Sequence, residues 1–194
     1  MDITLSWDLF VIVLFVVIVA YSFIIGRDNT LKVILGTYIS ALAADAIGNL
    51  FGLYFAGSAL FMKILSMASV SSEGEAIIFV KVLVFVGLVI LFAVKGAYRI
   101  KTHKDSSSIV RLVVTIFYSC MSAVLIITAL LTFVSGVSFI GGGNAQTTSV
   151  ALWWINNQSQ VIRTIINYSY FWFAIPALSF LFHSLYSRKK AAAA

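Results

Sequence analysis

The sequence predicts an all-α protein, a polytopic transmembrane helical bundle of five spans, and three observations carry that prediction. Of the 194 residues, 61% are hydrophobic and only 10% are charged, whereas water-soluble domains are roughly half apolar and a quarter charged. Mean hydropathy is +1.05, and several apolar runs reach the ~20 residues needed to cross a ~30 Å hydrocarbon core. The basic residues sit at the ends of those runs, not along one soluble face.

The first run, Trp7 to Ile25, follows acidic residues and no basic n-region, unlike a cleaved signal peptide. "GRDN" then reads as a turn, with Gly26, Asp28 and Asn29 as breakers. The second run covers Leu31 to Ala56. After it, "GSALFMKILSMASVSSEGE" has apolar residues at helical spacing around Lys63, which predicts a short interfacial helix and a polar loop. The third run spans Ala76 to Tyr98 and stops at "RIKTHKDSSS"; the fourth spans Ile109 to Phe139 and ends before the glycine tract "GGGNAQTTS". The fifth, Ile162 to Tyr186, carries Arg163, Asn167, Pro176 and His183. For this segment a second reading is open: four spans plus an interfacial C-terminal helix. Pro176 is expected to kink it and free a backbone carbonyl. Residues 1–190 form a single membrane domain in this reading, and Ala191–Ala194 after "SRKK" read as an appended tail.

Orientation follows from the connections. Arg27 and Lys32 flank the first; Lys95, Arg99, Lys101, Lys104 and Arg111 fill the third; Arg188, Lys189 and Lys190 form the tail. The second carries Glu73 and Glu75 and the fourth has no basic residue. With five spans every basic connection falls on one side, which predicts an outside N-terminus and a cytoplasmic C-terminus. The formal charge of +6 is thereby explained without nucleic acid. The expected partners are membrane lipids and other membrane protein subunits or further copies of the chain.

Two rows on the second helix stand out. Gly36, Ser40, Ala44, Gly48 and Gly52 recur every four residues, a small-residue stripe that lets another helix approach closely in lipid. It would serve packing inside the chain or an interface between copies. Beside it run Thr37, Ala41, Asp45 and Asn49. Asp45 would cost several kcal/mol facing lipid, so it must point into protein or water, or be protonated. At ~1.5 Å rise per residue it lies about 20 Å from the cytoplasmic start of its helix, hence roughly 10 Å below the outer surface of a ~30 Å core. Lys81 enters from outside and sits at about 7 Å depth by the same rise. The matching depths predict an Asp45–Lys81 pair with Asn49 as a hydrogen-bonding companion. The competing readings are that Lys81 snorkels to the interface, or that Asp45 lines a transport pathway.

Other residues have plainer readings. Trp153 and Trp154, beside Asn156 and Asn157, and Arg163 are expected interfacial anchors. Cys120 reads as a small packing residue, and His103 and His183 lack ligand spacing, so no metal or cofactor is expected. "NQS" and "NYS" match the glycosylation pattern only weakly. There is no nucleophile elbow, phosphate loop or close carboxylate pair on one helix. The sequence therefore predicts no enzyme, and no inverted repeat is evident.

Asp8 opening "WDLFVIVLF", the stretch "GRDNTLKVILGTYISALAADA" and the closing "SQVIRTIINYSYFWFAIP" resemble the colicin V production (CvpA) family of bacterial inner-membrane proteins. Asp8, Gly26, Gly36 and Ser159 are the positions that match its loose pattern. The chain departs from the family in having no glycine in "RIKTHKDSSSIVRL", and in five expected spans where the family pattern has four. The resemblance implies a role in toxin production or export and in envelope homeostasis, with no catalytic residue. Two functions follow as expectations. One is an accessory or assembly component of an envelope or export system; the other is an oligomeric small-solute or ion channel or transporter with Asp45 in its pathway.

Overall fold

The computed structural model describes residues 7–55, 58, 63, 72–95, 108–136, 138–140 and 160–192. These fold into a bundle of six helices: α1 (Trp7–Ile25), α2 (Arg27–Tyr54), α3 (Glu73–Lys95), α4 (Ser108–Val134), α5 (Gln160–Asn167) and α6 (Ser169–Ala192). The first four are long and apolar enough to cross a membrane. A fifth span is present if α5 and α6, bent by 63° at their junction, count as one. The interfacial helix expected around Lys63 lies almost wholly outside the described residues, as do Trp153, Trp154, Asn156, Asn157, Ser159, His103 and the side chain of His183.

Helix limits correct the sequence reading where a single residue sets them. α2 begins at Arg27, because only Gly26, at φ 79, breaks the chain; that left-handed φ suits a residue without Cβ. Asp28 and Asn29 belong to the first turn instead. There Asp28 favours the positive end of the helix dipole, and Asn29 Nδ2 donates to the Ile25 carbonyl. α3 begins with a reciprocal cap not foreseen in "SSEGE". The Glu75 N–H donates to Ser72 Oγ at 3.2 Å and the Ser72 N–H to Glu75 Oε2 at 3.3 Å, which satisfies two orphan donors. α4 ends at Val134, five residues before the expected Phe139. Gly136, at φ 74, turns the chain back, and its N–H closes on the Phe133 carbonyl, as glycine does after helix ends.

The fifth run is broken, and not where Pro176 predicts. The 63° bend lies at Tyr168, while α6 continues through Pro176. The proline leaves the Trp172 carbonyl without its helical N–H. One residue on, the Phe173 carbonyl accepts a hydrogen bond from the Tyr38 hydroxyl of α2 at 2.5 Å. α6 also runs past residue 190 to Ala192, so part of the expected appended tail is helical.

α2 and α4 form the interior of the bundle: half of the span window of each is buried, against 11% for α1 and α3. α4 touches all five other helices. Four of its hydroxyls, those of Thr115, Ser119, Thr128 and Thr132, bond back to their own helix at 2.7–2.9 Å. The outward faces of α1 and α3 are continuously apolar, including Phe10, Ile12, Val13, Val16, Val17, Leu83, Ile90 and Leu91. In water such a surface would be an aggregation hazard; in acyl chains it is ordinary.

Packing partners give the directions. α2 and α3 are antiparallel, with Gly36 against Phe92, Gly48 against Lys81 and Gly52 against Ile77. α2 and α4 are parallel: Leu31 and Ile34 cluster with Tyr118 and Met121, while Ala41 and Ala44 cluster with Ile126, Ala129 and Phe133. α6 runs from Phe173, edge-on to Phe139 beyond the end of α4, to Phe180 beside the Leu31–Tyr118 cluster. The ends carrying Arg27, Lys95 and Arg111 therefore share one end of the bundle.

Candidate functional site: a buried ion pair under a strap

The small-residue row of α2 is used inside the chain. Gly36, Ser40, Ala44 and Gly48 are buried and Gly52 half-buried, and the glycines face α3. A Cβ on Gly48 would collide with Lys81 Cγ and lie 2.8 Å from Cε, so the lysine stem rests on bare backbone. A Cβ on Gly36 would meet Phe92 Cβ at 2.7 Å, and one on Gly52 would meet the tip of Ile77 at 2.9 Å. Removing side chains from one helix is what admits a long cationic side chain of the next.

Lys81 then reaches Asp45. Its Nζ lies 2.6 Å from Asp45 Oδ1, and both side chains are buried at 5% and 0% exposure. Two charges taken out of water cost several kcal/mol each, and a pair holds only if remaining lone pairs are also met. The other carboxylate oxygen meets that condition. Asp45 Oδ2 accepts from Ser138 Oγ at 2.8 Å and from the Ile140 N–H at 2.8 Å. Ser138 Oγ in turn accepts from Asn49 Nδ2 at 3.1 Å. Asn49 thus belongs to the network as a hydrogen-bonding companion, reaching the carboxylate through the Ser138 hydroxyl.

Two obligate donors, the Lys81 ammonium and the Ile140 N–H, converge on Asp45 together with the Ser138 hydroxyl, a set that suits an acceptor-only carboxylate. Lys81 turns inward, so the snorkelling alternative does not describe its position. Sequence reasoning missed Ser138 and Ile140. The available signal was the Ser135-Gly136 pair, which ends α4 early and turns the next residues back over α2. Arg163 is exposed on α5, and Cys120 is a half-buried free thiol. Among the described residues no three His, Cys, Asp or Glu side chains gather as metal ligands would.

No protein-family model, curated protein or solved structure matches the chain. The site is therefore read from its own geometry.

Proposed function

We propose that the chain is a multi-pass cytoplasmic-membrane protein that acts through helix packing, as an accessory or assembly component of an envelope or toxin-export system. The observation that carries this reading is that every oxygen of the one deep carboxylate is answered within the chain. A conduction path would ordinarily string several buried ionisable groups across the bilayer, and the α2 stripe would have to face another copy. Here the stripe is covered by α3, which weighs against the channel or transporter alternative.

The link to toxin export and the bacterial inner membrane rests on the resemblance to colicin V production proteins alone. The same reading has α6 as a fifth span, the N-terminus outside and the C-terminus cytoplasmic. Its support is the shared end of Arg27, Lys95 and Arg111 and the descent of α6 toward that end.

Ion flux into liposomes bearing the purified protein tests the functional class. Flux should equal that of empty liposomes for both wild type and Asp45→Asn. Conduction by the wild type that Asp45→Asn abolishes would overturn the accessory reading in favour of transport.

A further inference from the structure

We propose that Asp45 is the catch of a strap, in which residues 138–140 close one end of the bundle and are held there by the carboxylate charge. The three residues are seated together. Ser138 and Ile140 both donate to Asp45 Oδ2, and Phe139 between them packs edge-on against Phe133 of α4 at 5.4 Å and Phe173 of α6 at 5.1 Å. Those rings extend to Phe85 of α3, 5.5 Å from Phe133. The strap therefore joins α2, α3, α4 and α6 through three residues that belong to no helix. Its root is Gly136, whose left-handed backbone reverses the chain after α4.

The seat depends on charge by simple donor counting. A proton on either oxygen would sit among donors, the Lys81 ammonium and the Ile140 N–H, with only the Ser138 hydroxyl able to accept it. The Ser138 hydroxyl can rotate to accept; a backbone N–H cannot. A neutral residue 45 loses the charge that strengthens its bonds to the strap and to the lysine. The described groups bonded to it are Lys81 of α3 and, from the strap, the Ser138 hydroxyl and the Ile140 N–H. Nothing there offers a substitute anion among the described residues. Release of the strap would unseat Phe139 and open the pair to the bundle end opposite the basic one.

This inference holds whether the protein is an accessory subunit or a transporter, so flux and strap are tested separately. Hydrogen–deuterium exchange of the full chain in nanodiscs, read on peptides covering 138–140, is the experiment. Wild type should protect the Ile140 amide. Asp45→Asn should speed exchange there by about tenfold or more, since a hydrogen bond to a charged group is lost, while the α2, α3 and α4 peptides keep their protection. Ser138→Ala leaves the ion pair intact and decides the matter if Asp45→Asn does not fold. It should loosen the 138–140 peptide alone, by a smaller factor. Fast exchange of that peptide in wild type overturns the strap, and so does unchanged protection in both variants.

Discussion

Asp45 has two obligations, one on each carboxylate oxygen, and the cost of breaking either follows from its burial. Removing Lys81 would leave a buried carboxylate without its counter-charge, and breaking one partner of such a pair typically costs about 3–5 kcal/mol. Lys81→Met is therefore expected to lower the detergent unfolding midpoint strongly. Asp45→Asn in that background should recover part of the loss. Recovery stays incomplete because, with the amide oxygen on the two strap donors, its Nδ2 faces the methionine with no acceptor. A double-mutant cycle measures this, and strict additivity of the two changes would show that the residues do not act as a pair.

Between α2 and α3, the glycine row sets how close the helices come, and its members are not equivalent. At Gly36 a methyl group collides with the root of Phe92, and at Gly48 with the whole lysine stem, whereas at Gly52 it meets only the flexible tip of Ile77. Gly87 faces open space. Overpacking a tight contact costs about 1–3 kcal/mol, so Gly36→Ala and Gly48→Ala should destabilise the protein by that order. Gly52→Ala should cost little and Gly87→Ala nothing. Thermal unfolding of the four variants ranks them, and equal effects at Gly48 and Gly87 would contradict the close approach. The stripe was legible from its four-residue spacing. Its use was not, because small residues look alike whether they receive a neighbouring helix of the same chain or of another copy.

At the level of the whole molecule, the fate of the α5–α6 segment decides the topology. α5 lays Ile162 against Val11 and Ile127 and turns Arg163, Thr164 and Asn167 outward. An outward polar face belongs in headgroups or water rather than acyl chains. In the proposed five-span topology the last crossing then runs through α6, whose direction agrees with a basic tail on the side of Arg27 and Arg111. In a Cys120→Ala background, an impermeant maleimide should label Glu73→Cys in intact cells. Asp28→Cys and Ala192→Cys should label only after permeabilisation. Labelling of Ala192→Cys in intact cells would favour four spans. Composition, run length and the placement of arginine and lysine were enough to read the membrane helices, since lipid demands ~20 apolar residues per crossing whatever the fold. Helical rise was enough to match Asp45 with Lys81 in depth. The strap, the cap on Oδ2 and the bend at Tyr168 came from the folded chain. A backbone N–H such as that of Ile140 carries no side-chain signature, and where a chain returns after a turn depends on every neighbour it must pack against.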